Sequence, residues 1–333
     1  MNEMELRKQI TATGRELLAD GLVARTWGNV SAKVDEEHFL ITPSGLDYLQ
    51  TKEEDLALYH PADKTWQGPH KPSSEKGIHA AAYELFPEAK FVIHTHQTFA
   101  SAIGVCGFQN MSITADEKRQ LGGIAIGEYG LPGTGKLKKG VTSAFKKGAH
   151  TVFMKHHGVV IAGESKEEAY ERARLLEKIC KKNICGYEDE VALSDMEKSQ
   201  TLELLREIKK KLPGAEWVDT PAVVAWSRDN DLLVAQLDDM AQMIGRKIET
   251  VADVGEICGY LNKGNNALFI KGLGAVVCGR DEDDTEALKI LVDKAAVCAL
   301  NSKAAGIYRK LGLVDCKLMN YVYQKKYSKQ KNG

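Results

Sequence analysis

Two stretches of the chain line up on each other without a gap: TVFMKHHGVVIAGESKEEA at 151–169 and ALFIKGLGAVVCGRDEDDT at 267–285. Phe153, Lys155, Gly158, Val160 and Gly163 meet Phe269, Lys271, Gly274, Val276 and Gly279, and both stretches run on into a helix-prone segment. Five identities among many apolar matches indicate a duplicated unit rather than two unrelated strand-turn-helix segments. The length of 333 residues is what two domains of about 100–200 residues each would need. A charged, helix-prone run at 188–212 is followed by LPGAEWVDTP, whose Pro and Gly place the boundary there. The expected domains are therefore 1–212 and 213–333.

The copies differ in one kind of residue. All nine histidines lie in the first half, at 38, 60, 70, 79, 94, 96, 150, 156 and 157. The echo puts Gly272 and Leu273 where the first copy has His156 and His157. Histidine chemistry, if present, belongs to the first half alone.

His94-Thr95-His96 lies in FVIHTH, a β-branched and aromatic run with strand character. Alternate residues of a strand point to one side, so both imidazoles can converge on one ion. A catalytic zinc takes three protein ligands at about 2.0–2.1 Å for nitrogen and keeps a position open. His156 or His157 could supply the third ligand and Glu75 a carboxylate. His-x-His alone is a weak signal; four candidate ligands in strand-like settings form a stronger one.

Charge and composition remove other classes. Lys plus Arg number 45 against 46 Asp plus Glu, a net charge of −1, which lacks the basic footprint of a nucleic-acid binder. No apolar run approaches the roughly 18 residues of a membrane helix, so no membrane partner is expected. The seven cysteines are odd in number and form no Cys-x-x-Cys pair, which favours a reducing, cytoplasmic setting over a disulfide framework.

Periodicity gives a coarse order of elements. Glu3 to Asp20 reads as an amphipathic helix stopped by Gly21, TWGNVSAKV as a turn into a strand, and HFLITPSG as a second strand. Ser73 or Ser74 can cap a helix from Glu75 to Leu85. Residues 141–148 read as helix, TVFMKHHGVVIAG as one buried strand, and Ser165 as the start of another helix. Interspersed strands and helices indicate an α/β or α+β fold. Gly28-Asn29, Ser44-Gly45 and Ser73-Ser74 fall at turns or a helix start, where small residues and neutral donors suit an anion. On chemistry alone, three ordinary turns are the preferred reading.

Taken together, TWGNVS, ITPSG, KPSSE, FVIHTH and KHHGVV, in that order over residues 1–185, resemble the class II aldolase/adducin family. The likeness is closest to its fuculose-1-phosphate aldolase-like members. It implies a three-layer α/β/α fold with a mixed or antiparallel central sheet, followed here by a smaller related α/β domain. It also implies that His94, His96 and His157 hold Zn2+ (or Mn2+ or Co2+), leaving His156 a structural role. Glu75 is implied as the carboxylate that binds the metal at rest and acts as general acid/base. Gly28, Asn29, Ser44, Gly45, Ser73 and Ser74 match phosphate-binding positions.

The implied reaction is cleavage of a ketose phosphate to dihydroxyacetone phosphate and an aldehyde through a zinc-stabilised enediolate. Sister chemistries on the same scaffold are pentulose-phosphate 4-epimerisation and methylthioribulose-phosphate dehydration. Epimerases carry Asp where this chain has Glu75, though Ala115-Asp116 is similar to their acid segment. An adducin-like, non-catalytic binding role is the alternative of another class, and adducin domains lose the metal ligands. The segment after the histidine strand, NMSITADEKRQLGG, lacks the tyrosine related aldolases place there, and Tyr129 is the nearest. Trp27 stands where the family usually has a small residue. Fourfold assembly in the family, with a histidine-free second half here, implies a homo-oligomer: a dimer of two-unit chains imitating a tetramer, or a tetramer.

Overall fold

The computed structural model describes residues 2–252, 255, 257–261 and 265–327. The chain divides into two compact units, Met1–Asn183 and Ile184–Gly333. This division falls before the charged run at 188–212.

In the first unit the strands are β1 (Asn29–Lys33), β2 (Phe39–Ile41), β3 (Ala57–His60), β4 (Thr65–Gln67), β5 (Phe91–Thr95), β6 (Ile124–Gly127), β7 (Thr151–Met154) and β8 (Gly158–Gly163). They form one sheet in the order β4-β3-β2-β1-β5-β8-β7-β6. Neighbours run antiparallel except β6 and β7, so the sheet is mixed. Helices α1 (Glu3–Ala19), α3 (Thr98–Cys106) and α6 (Lys166–Lys182) pack on one face. Helices α2 (Lys76–Leu85) and α5 (Gly135–Phe145) pack on the other, with the short α4 (Ala115–Gln120) before β6. Ile78, Ala82, Leu137 and Phe145 from the α2/α5 layer meet Phe39, Val92, Val152 and Val160 of the sheet in one core. Helices on both faces explain why β5 and β8 are buried at every residue and read as continuous apolar runs rather than alternating ones. This is the three-layer α/β/α architecture expected.

Two local expectations are corrected. TVFMKHHGVVIAG is not one strand but the β7–β8 hairpin, turned at Lys155–His157, where His156 has φ 65°. The polar KHH triplet breaks the apolar run, and the left-handed residue reverses the chain. Helix α5 starts at Gly135 rather than near 141, because the Thr134 side chain accepts from Leu137 N–H and caps it. The glycines of GTGKLKKG hid that start.

The second unit comprises α7 (Asp195–Lys209), β9 (Ala215–Val218), α8 (Pro221–Asp229), β10 (Leu232–Val234), α9 (Asp238–Met243), β11 (Lys247–Val251), α10 (Ile257–Leu261), β12 (Ala267–Ile270), β13 (Gly274–Cys278), α11 (Glu282–Ala304) and α12 (Leu313–Val322). Its sheet order is β10-β11-β12-β13-β9, with β11 and β12 parallel and the other neighbours antiparallel. The stretch β11-β12-β13-β9 repeats β6-β7-β8-β5, down to the single parallel pair.

The echo in sequence holds residue by residue. His157 N–H donates to Met154 C=O at 2.9 Å, and Leu273 N–H to Ile270 C=O at 3.0 Å. Gly272, aligned with His156, has φ 77°. A Cβ at Gly158 would fall 2.2 Å from Thr95 O on β5, and one at Gly274 2.5 Å from Val218 O on β9. Ser165 caps α6 through Glu168 N–H and Asp281 caps α11 through Asp284 N–H. The second sheet thus keeps the scaffold and lacks the histidines. No helix among the described residues is long and apolar enough to cross a membrane.

Candidate metal centre and active site

Strand β5 organises the centre. Its His94 lies opposite Asn29 of β1 on one side and Val160 of β8 on the other. His96 follows just past the strand end, and the alternation puts the two rings 4.8 Å apart. His157 closes the β7–β8 turn, with its ring 5.0 Å from that of His94 and 4.7 Å from that of His96. Gly158 leaves room for this, since a Cβ there would lie 3.1 Å from Cε1 of His94.

All three rings are buried, and one ligand-capable nitrogen of each lies within 4.8 Å of the others. The Nε2 atoms of His94 and His96 are 3.1 Å apart. In a tetrahedron with metal–nitrogen bonds of about 2.0–2.1 Å, ligand nitrogens stand about 3.3–3.4 Å apart. His94 Nδ1–H donates to the Val159 carbonyl at 2.8 Å, which fixes the ring and turns its Nε2 inward. The donor set fits a divalent ion that accepts imidazole.

Glu75 precedes α2, and its backbone N–H donates to Ser73 Oγ at 3.2 Å. Its Oε1 is 3.0 Å from His157 Nε2 and its Oε2 is 3.2 Å from His94 Nε2. Burial disfavours the carboxylate charge, but the charges of His94 and His157 outweigh it and hold the carboxyl well below its usual range. The carboxylate therefore rests ionised on the nitrogens that would hold a metal. Trp27 is buried and stacks on His96 with centroids 6.3 Å apart, walling that side of the centre. His156 points elsewhere: its ring meets Tyr129 edge-on at 5.4 Å, outside the histidine triad.

The other predicted residues surround Glu75. Gly28 has φ 81°, and a Cβ there would lie 2.4 Å from the His94 carbonyl oxygen. Both strain and overlap follow, so Gly28→Ala is expected to lower stability by about 2–4 kcal/mol, measured by urea unfolding. Asn29 Nδ2 donates to Glu75 Oε2 at 3.1 Å. Ser44 N–H donates to Lys71 C=O at 2.9 Å and Ser73 N–H to Thr42 C=O at 3.1 Å, which ties the two small-residue loops together. Gly45 has φ 78°, and the exposed Ser74 lies under Gly133, whose added Cβ would meet Ser74 Oγ at 3.4 Å. Asn29 and Ser73 thus touch Glu75 directly, while Ser44, Gly45 and Ser74 line the loops beside it.

Sequence reasoning passed over His79. It sits four residues after Glu75, so one turn of α2 puts both on one side. Its Nε2 contacts Asn29 Oδ1, and its Nδ1 is 2.6 Å from Ser31 Oγ. Burial, with the His94 charge behind it, pushes its pKa down to about 3. A histidine held neutral in the fold and protonated near 6.5 when unfolded costs stability as pH falls from 6.5 towards 3. His79→Gln is expected to lose about 2 kcal/mol less than wild type between pH 7 and pH 5, read by chemical denaturation.

Comparison with known proteins matches this half. The model of the class II aldolase and adducin N-terminal domain covers residues 8–184. The L-ribulose-5-phosphate 4-epimerase UlaF of Salmonella paratyphi C is 30% identical over 190 residues, 53% of this chain and 83% of the relative. The 5-methylthioribulose-1-phosphate/5-deoxyribulose-1-phosphate aldolase of Rhodospirillum rubrum is 29% identical over 183 residues, 54% of this chain and 80% of the relative. A solved L-fuculose 1-phosphate aldolase shares the fold with TM-score 0.50 at 21% identity, over 61% of this chain and 96% of that one.

Proposed function

The chain belongs to the class II aldolase and adducin family, and on that premise we propose that it is a metal-dependent aldolase acting on a ketose phosphate. Its products are dihydroxyacetone phosphate and an aldehyde. The observation that supports this reading most is the Glu75 carboxylate lying at 3.0 and 3.2 Å from two members of a buried histidine triad. A non-catalytic adducin-like domain has no need of such a set.

His94, His96 and His157 would hold the ion, which when bound supplies Lewis-acid polarisation of the substrate carbonyl. Breaking the C3–C4 bond leaves its electron pair on C3, conjugated with the C2 carbonyl. The C4 hydroxyl gives up its proton as the aldehyde forms, and one proton must return to C3. Glu75 is the group for that return: buried and ionised at rest, it would take up one proton, in net that released from the C4 hydroxyl, and deliver it to C3. The loops carrying Gly28, Asn29, Ser44, Gly45, Ser73 and Ser74 would bind the phosphate through neutral donors and fix the remote end. Trp27 excludes water beside His96.

A panel of ketose 1-phosphates and 5-phosphates with the zinc-loaded protein, scored for cleavage, epimerisation and dehydration, tests the reading. Cleavage of a 1-phosphate supports it, and epimerisation of a pentulose 5-phosphate alone would move the chain beside its Salmonella relative. The histidine-free repeat further suggests that the second unit stands in for a subunit. The expected solution mass is then that of a dimer of 36.6 kDa chains, by light scattering, and a stable monomer would contradict it.

A further inference from the structure

Behind the centre runs a chain of buried polar side chains whose hydrogen-bond directions are fixed from one end. A carboxylate only accepts, so the Asn29 group 3.1 Å from Glu75 Oε2 is its NH2. Asn29 Oδ1 therefore faces His79 Nε2, which must carry the proton. The neutral ring then accepts at Nδ1 from Ser31 Oγ at 2.6 Å, and Ser31 in turn accepts from the Tyr83 hydroxyl at 2.7 Å. Asn29, Ser31, His79 and Tyr83 are all buried, so water does not compete for these bonds. Asn29 and Ser31 come from β1, and His79 and Tyr83 from successive turns of α2. The chain thus locks the helix that follows Glu75 to the strand beside His94.

We propose that His79 is a positioning residue: its Nε2–H holds the Asn29 carboxamide with the NH2 turned to Glu75, and so keeps that carboxylate over His94 and His157. It touches neither the metal nor the substrate. Were His79 to carry its proton on Nδ1, its Nε2 lone pair would face Asn29 Oδ1. The amide would turn over and set an oxygen against the Glu75 carboxylate. Ser31, by donating to Nδ1, selects the tautomer that prevents this. The inference rests on the metal-centre reading for its consequence, and on the hydrogen-bond directions alone for its geometry.

Two readouts separate these. Histidine-selective 15N labelling of the metal-free protein reads the tautomer directly. His79 is expected as the Nε2–H form, with Ser31→Ala shifting it towards Nδ1–H; an Nδ1–H ring in the wild type overturns the proposal. Zinc affinity, by competition with a chelator, reads the consequence. His79→Leu is expected to weaken zinc binding about 10–100-fold with the fold intact by circular dichroism. His79→Gln, which offers an N–H and a C=O in place of Nε2–H and Nδ1, should stay within about 3-fold. In an Asn29→Ala background His79→Leu should change nothing further, because its effect passes through Asn29. An equal loss in both backgrounds, or a His79→Gln as weak as His79→Leu, would overturn it. If His79→Leu does not fold, Ser31→Ala replaces it in the same comparison. A wild type that binds no zinc would instead sink the metal-centre reading, leaving the tautomer to decide the geometry.

Discussion

His157→Ala is expected to abolish stoichiometric zinc binding and to lower kcat/KM by about 10³-fold or more, the several kcal/mol that a Lewis-acid ion contributes to the transition state. Its sequence neighbour provides the control. His156 lies outside the triad, and its left-handed backbone is one that glycine adopts without strain, as Gly272 does in the repeat. His156→Gly should therefore keep the metal, and its lost contact with Tyr129 should be offset in part by relief of about 1 kcal/mol of backbone strain. Elemental analysis and steady-state kinetics on both variants decide the assignment. Loss of zinc in His156→Gly with retention in His157→Ala would exchange their roles.

The second large effect is at Glu75. Glu75→Gln preserves the side-chain size and removes the charge and the ability to carry a proton. Because three histidines remain, zinc should stay bound, weakened by about 10-fold. Turnover should fall by about 10²–10⁴-fold, the range for removing a positioned acid/base. The burial of Glu75 sharpens the expectation, since the carboxylate is shielded from bulk solvent. Equal turnover of Glu75→Gln and wild type would remove the acid/base assignment while leaving the metal centre in place.

Much of this was legible in the sequence, for identifiable reasons. His94 and His96 share a side because strand alternation is a property of the backbone alone. The gapless repeat indicated a second copy of the unit, and its glycines meet neighbouring carbonyls that no Cβ could approach. Other features depend on tertiary partners that no local pattern encodes. The β7–β8 turn was hidden in an apolar run because its left-handed residue is a histidine. Asn29 read as an anion-binding turn residue, and its contact with Glu75 follows from β1 pairing with β5. His79 had no reading of its own; only its four-residue spacing from Glu75 carried a signal.

The central claim is that Glu75 moves a proton at C3 of a dihydroxyacetone phosphate fragment. Hydrogen exchange tests it without knowing the aldehyde. In D2O, the zinc-loaded protein given dihydroxyacetone phosphate alone should replace one hydrogen of the hydroxymethyl carbon by deuterium, read by NMR. Glu75→Gln and the metal-free protein should not. No exchange by a zinc-loaded wild type, or unchanged exchange in Glu75→Gln, would contradict the account.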